Sequence, residues 1–326
     1  MRSFVVAVMH GLPLNDPPSG DLLQTNHLGP IAYRMGLAER RNEYAASTIV
    51  AERRRRTLAE VIEALAPRGI EIALIKGCSF IGNIYPDPAE RPMSDQDVLV
   101  RVEQLEDAMR IMLGLGFERV GFTRKLSDFY HAQVFRRGDM MIELHRHIMA
   151  MHRTRVPINA MWERSIPDPQ GTGARRLERV DEFLICALHI SRHELAVPAI
   201  NYVDVWRLWQ RLTAEQRDVV QSRAREYRVE RAIAAVLSIT RNLAAGRSER
   251  PAIGFGSSVL PTTDDVLRGL RPERGRQLAQ KLLLTQGARE RVGLGFTWIA
   301  AIVDGWRRGR TFDEDMRATD TSSKRR

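Results

Sequence analysis

Two aspartates one residue apart, in Arg91-Pro92-Met93-Ser94-Asp95-Gln96-Asp97-Val98-Leu99-Val100, are the residues of this chain best placed to do chemistry. Along an extended strand successive side chains alternate faces, so Asp95 and Asp97 share one face while Val98 and Val100 point into a core. Carboxylates held that close repel each other unless a cation lies between them, and magnesium carrying a polyphosphate is the common arrangement. A third acid, Glu143, stands in Met141-Ile142-Glu143-Leu144-His145, where Met141, Glu143 and His145 share a face. If that strand lies beside the one bearing the aspartates, Asp95, Asp97 and Glu143 converge and can hold two ions roughly 3.5–4 Å apart. The competing reading is of strand-end acids in ordinary ion pairs with Arg91 or Arg101.

Upstream, Ile72-Ala73-Leu74-Ile75-Lys76-Gly77-Cys78-Ser79 reads as a strand, a tight turn and a helix start. Gly77 lets the backbone approach a phosphate, the next N–H groups favour an anion, Ser79 offers a hydroxyl, and Lys76 can reach a phosphate oxygen. Arg91 and His145 join Lys76, Gly77 and Ser79 as candidates for the phosphate-facing set. Alone, the turn is also compatible with a plain tight bend and a surface lysine. Neither the Gly-x-x-x-x-Gly-Lys-Ser/Thr spacing nor Gly-x-Gly-x-x-Gly occurs, which argues against a P-loop protein and a dinucleotide oxidoreductase.

The histidines are less specific. His145, His147 and His152 are too loosely patterned for a histidine zinc site, and His145 is better suited to orienting Glu143 or meeting a phosphate. His189 and His193 are four apart on one helical face, with Asp204 in the next helix as a possible partner. They read as an interhelical polar pair or as a contact across a cleft. Trp206, Trp209, Trp298 and Trp306 fall at helical spacings and are expected in the core or at an interface.

The elements that must position these groups occupy a chain of 326 residues, 44% hydrophobic and 28% charged, an ordinary composition for a water-soluble globular protein. The net charge of +10 favours an anionic partner, but Lys76, Lys125, Lys281 and Lys324 are the only lysines, and so arginine-rich a balance does not select nucleic acid. Two distant cysteines, Cys78 and Cys186, suggest neither a disulfide framework nor a cysteine-based metal site, and fit a reducing cytoplasm. The apolar start Met1–His10 is too short to span a bilayer and lacks a cleavage site, and no other run suggests a membrane segment.

Residues 11–32, rich in Pro, Gly, Asn and Asp, read as a loop or loosely packed part of an arm over 1–40. A helix is expected from Tyr44 to Leu65, interrupted by a basic turn at Arg53–Arg56 with a solvated face and ended by Pro67-Arg68-Gly69. Strands follow at 71–75 and 95–100, and a helix at 102–115 buries Leu105, Ala108, Met109, Met112 and Leu113. A short strand at 117–120 precedes a hairpin of 132–136 and 140–145 turning at Arg137-Gly138-Asp139. Beyond about 155, helical periodicity at 179–193, 203–212, 225–243, 276–286 and 296–307 replaces strand-like alternation, with a Gly/Ser/Pro-rich connection at 246–263. The division expected is an arm (1–40), a small α/β domain around a mixed sheet (41–155), an all-helical domain (156–317) and a frayed tail (318–326). The fold class is α+β.

This ordered set resembles the uncharacterised nucleotidyltransferase family of the DNA polymerase beta-like superfamily. The matching residues are Leu74-Ile75-Lys76-Gly77, Tyr85-Pro86, Arg91 through Val100, Leu115-Gly116-Phe117, Ile142-Glu143-Leu144-His145, and Ala187-Leu188-His189 … His193 … Tyr202-Val203-Asp204. The similarity covers roughly 45–240. It implies a nucleotidyltransferase-like α/β domain, a triphosphate-binding turn at Gly77 and Ser79, and magnesium held by Asp95, Asp97 and Glu143. Gly77-Cys78 replaces the superfamily's usual Gly-Gly/Ser, and Glu143 stands where many members have Asp. The activity implied is transfer of a nucleoside monophosphate, AMP first among them, from a triphosphate such as ATP with release of pyrophosphate. The acceptor is left open among small metabolites, sugars, antibiotics, peptides and RNA, and the oligomeric state is not implied. Two other classes fit the same residues: a non-catalytic nucleotide- or partner-binding protein, and a basic RNA-binding protein.

Overall fold

The computed structural model describes residues 1–14, 18–120, 131–149, 154–254 and 256–295. The chain opens with α1 (Arg2–His10), α2 (Gly20–Thr25), α3 (Gly29–Arg34) and α4 (Arg41–Leu65). The α/β region follows as β1 (Ile72–Leu74), α5 (Gly77–Phe80), β2 (Gln96–Val100), α6 (Leu105–Gly114), β3 (Glu118–Val120), β4 (Ala132–Arg137) and β5 (Met140–His145). Then come α7 (Ile158–Arg164), β6 (Ile166–Pro167), β7 (Arg175–Arg176), α8 (Arg179–Arg192), α9 (Ala199–Gln210), α10 (Ala214–Glu226), α11 (Glu230–Ala244), α12 (Thr263–Leu267) and α13 (Arg274–Leu284). An N-terminal mixed α/β region with an open sheet thus precedes a largely helical C-terminal region, the expected class.

The sheet runs β3-β4-β5-β2-β1-β7-β6. Its central pair, β2 and β5, is parallel, and β1 lies antiparallel on the other side of β2. Alternation gives the sheet two different faces. Ile72, Leu74, Val98, Val100, Ile142 and Leu144 pack under Leu58, Val61 and Leu65 of α4 and Ala108, Met109 and Met112 of α6. Ala73, Ile75 and Leu99 look the other way, into a core built with α8, α9, α11 and the N-terminal helices. The candidate site residues of β2 and β5, Asp97, Glu143 and His145, lie on this second face, against the helical region.

Several expectations are corrected. Residues 20–32 are not loosely packed: Leu23 of α2, Leu28 between the helices and Ile31 of α3 are buried in the helical core. Helices of six residues are too short to show periodicity, and their Gly and Pro mark starts rather than loops. No turn interrupts α4 at the arginines; Arg54 is buried while Arg53 pairs with Asp139 and both Arg55 and Arg56 pair with Glu52. Leu113 of α6 is exposed, because the helix turns only Leu105, Ala108, Met109 and Met112 inward. The region after 155 is not purely helical, since β6 and β7 extend the sheet. The expected helix at 225–243 is two, α10 and α11, broken where Arg228 adopts a φ of 56°. The expected helix at 296–307, with Trp298 and Trp306, and the tail lie outside the described residues, as do Lys125 and His152. No described helix is long and apolar enough to cross a membrane.

Trp206 donates to the Met9 carbonyl at 2.9 Å, and Trp209 packs on Phe183, so both bind helix to helix. Cys78 and Cys186 are buried free thiols.

Candidate active site

Register places the acids. β2 and β5 pair with Asp97 directly opposite Glu143 and Leu99 opposite His145. Parallel neighbours in register point equivalent side chains the same way, so Asp97, Glu143 and His145 leave the sheet together. One oxygen or nitrogen from each lies within 4.8 Å of the others, the geometry of a shared divalent cation. Two carboxylates and an imidazole suit magnesium or manganese, carboxylate oxygen being the preferred donor of both and imidazole nitrogen tolerated better by manganese. Among the described residues this is the candidate metal cluster. Asp95 is not in it, since it precedes β2 on a bend, half-buried, with the Ser94 hydroxyl on its Oδ1 at 3.0 Å.

The pairing of the acids is dense. Asp97 Oδ1 accepts from Lys76 Nζ at 2.6 Å and lies 2.7 Å from His145 Nε2, which is also 3.2 Å from Glu143 Oε2. His145 Nδ1 lies 3.3 Å from the His147 carbonyl oxygen, which can only accept. The carbonyl at Nδ1 favours a proton there; at Nε2 a second proton, which would make His145 an imidazolium, competes with a metal ion for the same lone pair. Burial and Lys76 oppose that charge, yet Asp97 and Glu143 raise the His145 pKa. Burial alone would raise Asp97 too, but Lys76 and His145 hold it far below the usual carboxylate range. Glu143 is likewise lowered against its burial, chiefly by His145. Asp95 takes the cost of the crowding: burial and the charges on Asp97 and Glu143 push it up to about 7.

The phosphate-turn residues have distinct placements. Gly77 opens the short α5, and a Cβ there would meet Met93 Sδ at 2.5 Å, so its bareness serves the approach of the Met93 loop. Ser79 is fully buried, and its hydroxyl donates to the Lys76 carbonyl at 2.9 Å. Arg91 lies apart from the metal cluster: its guanidinium binds both oxygens of Asp204 on α9, which also accepts from the Tyr85 hydroxyl at 2.7 Å. Asp204 is therefore not a partner of His189 or His193. Arg101 lies 4.8 Å above the Trp162 ring, so neither arginine of the competing ion-pair reading pairs with the acids.

The helical region supplies the opposite wall. His189 of α8 and His193 at its C-terminal cap set their rings 4.7 Å apart at a tilt, and burial with Lys76 and Arg192 nearby lowers both pKa values well below the ordinary range. His131 stands 5.3 Å from the His145 ring and accepts from Arg192, which together with burial keeps it neutral. His147 is spent on backbone, receiving the Met149 N–H and reaching the Val156 carbonyl. Sequence reasoning missed His131, Arg192, the buried Arg54 and Glu182. His131 is separated from its neighbours by the stretch before β4 and only the register Ala132 opposite His145 brings it near. The Arg54 signal, an arginine in a run of four, is hidden by its exposed neighbours.

A mixed sheet with paired acids on two parallel strands, facing a helical region, fits the polymerase-beta-like nucleotidyltransferase superfamily. The chain belongs to the family described as uncharacterised nucleotidyltransferase, whose model matches residues 23–245. A solved structure of the antibiotic-resistance factor ANT(2'')-Ia is similar over 52% of this chain and 90% of that chain, at 15% identity and a TM-score of 0.37. No curated protein matches significantly.

Proposed function

We propose that this chain is a magnesium-dependent nucleotidyltransferase that moves a nucleoside monophosphate, AMP from ATP foremost, onto an acceptor and releases pyrophosphate. The observation that carries this reading is Asp97 in register with Glu143 on adjacent parallel strands, with His145 completing the donor set. Family membership supports the same chemistry. A divalent ion bound there supplies charge neutralisation to the triphosphate oxygens in the transition state. Asp97, Glu143 and His145 would hold it.

In the transfer an acceptor oxygen forms a bond to the α-phosphorus as the bond from that phosphorus to its β-bridging oxygen breaks. Pyrophosphate leaves with the electron pair, and the acceptor proton passes to Glu143, whose side chain keeps 20% of its surface exposed while Asp97 keeps 9%. Asp95 lies close enough to feel the charges of Asp97 and Glu143, and added positive charge there would ionise it. The Gly77 turn would border the triphosphate, with His189 and Arg192 of α8 and His193 at its C-terminal cap on the opposite side. Ser79 and Arg91 act by holding the turn and the helical wall. Small metabolites, sugars, peptides and RNA are the acceptor classes to screen.

Purified protein incubated with α-32P-labelled ATP, magnesium and panels of these acceptors should transfer label and release pyrophosphate. Asp97→Asn should lower the transfer at least about a hundredfold. Nucleotide binding without transfer in every panel would favour a binding module. RNA affinity that falls steeply with salt and survives Asp97→Asn would favour RNA binding.

A further inference from the structure

We propose that Lys76 is a built-in cation of the carboxylate cluster, filling one of the two ion positions, so that the site takes a single divalent metal. The inference rests on the nucleotidyl-transfer reading and deepens it. Two-ion sites set their metals about 3.5–4 Å apart across a shared carboxylate. Here the carboxylate in the sharing position, Asp97, already has an ammonium on Oδ1 at 2.6 Å, and both side chains are only 9% exposed. The same ammonium lies 3.4 Å from the Nε2 of His145, a residue of the cluster. What is left over, Asp97, Glu143 and His145, is enough for one ion.

The backbone aims Lys76 at this position. Its φ of 52° and ψ of −135° are strained for a residue with a side chain. That conformation is fixed from both sides. The Ile75 N–H donates to the Asp97 carbonyl at 3.2 Å, and the Ser79 N–H donates to the Lys76 carbonyl at 3.0 Å with the Ser79 hydroxyl beside it. A strained residue this firmly held is not a surface chain folded inward. Its chemistry also fits: an ammonium is a compact charge with three donors, whereas a guanidinium is a broad planar fork. Only four of the 50 basic residues are lysines, so composition does not account for one here. A buried charge is retained only when it is paired, and the pair found is with the carboxylate a second metal would use.

The test counts metal. Manganese titrated into the full-length protein, with and without the non-hydrolysable α,β-methylene analogue of ATP, is followed by the electron paramagnetic resonance of the free ion. Wild type should bind one manganese per chain in both conditions. Lys76→Met, which keeps the reach and removes the charge, should bind two in the presence of the analogue. Two ions on wild type would overturn the proposal and leave nucleotidyl transfer standing. One ion on Lys76→Met with a native near-ultraviolet circular dichroism spectrum would overturn it as well. No manganese on wild type would remove both readings, and if Lys76→Met does not fold the wild-type count decides alone.

Discussion

At Glu182, one turn into α8, a carboxyl is buried beside the phosphate turn, 4% exposed, with Asn83 Nδ2 3.3 Å from Oε2 and Ser79 alongside. Burial pushes its pKa up to about 7 against the weaker pull of Ser79, Arg176 and Asn83. The folded protein thus holds a proton there that the unfolded chain releases near its ordinary value of 4.5. Stability from this group is therefore full below about 4.5 and is lost as pH rises through about 7, by up to roughly 3 kcal/mol. Urea unfolding of wild type and Glu182→Gln at pH 5 and pH 8 should show the variant gaining on wild type at the higher pH. An unchanged difference would mean that Glu182 is ionised in the fold. Asp97 and Glu143 were legible in the sequence because period-two alternation needs no tertiary knowledge. The cation on Asp97 was not, because nothing in a sequence announces a lysine with a left-handed φ.

Between elements, the decisive contact runs from α4 to the loop that delivers β2. The Arg54 guanidinium donates to the carbonyls of Met93 and Ser94, and its own carbonyl accepts from Gln96 Nε2 at 3.0 Å. A helix on the apolar side of the sheet thereby fixes the backbone that carries Asp95 and Asp97 out of the opposite side. Arg54→Met should lower manganese affinity by about 10- to 100-fold, the usual effect of losing a group that holds a metal ligand in place. Calorimetric titration would measure it, and an affinity equal to wild type would dismiss α4 as a positioning element. Long elements were readable: α4, α6, α8 and the β4–β5 hairpin follow from periodicity and turn residues. The two-residue strands β6 and β7 were not, because no alternation fits in two residues, and the α10–α11 break was missed because Arg228 gives no glycine or proline signal.

Over the whole molecule, one hydrophobic core joins the site-bearing face of the sheet to α8, α9 and α11, with α1 to α3 packed into it. Arg91 and Asp204 cross that junction as a buried pair, their side chains 9% and 1% exposed. Removing one partner strands a charge, so Asp204→Ala should cost about 3–5 kcal/mol in chemical denaturation. Replacing both, as Arg91→Met with Asp204→Leu, should cost far less. If the single and double variants are equally destabilised, the pair is not what the junction depends on.

Among the described residues the sheet ends in β6, where Pro167 has no N–H to present, and at its other border in β3, where Glu118 is exposed to solvent. Both borders are short, and each carries a feature that disfavours ladder growth between copies, a missing donor at Pro167 and a charged side chain at Glu118. Crowded solutions of this protein should therefore resist fibre formation through these two borders.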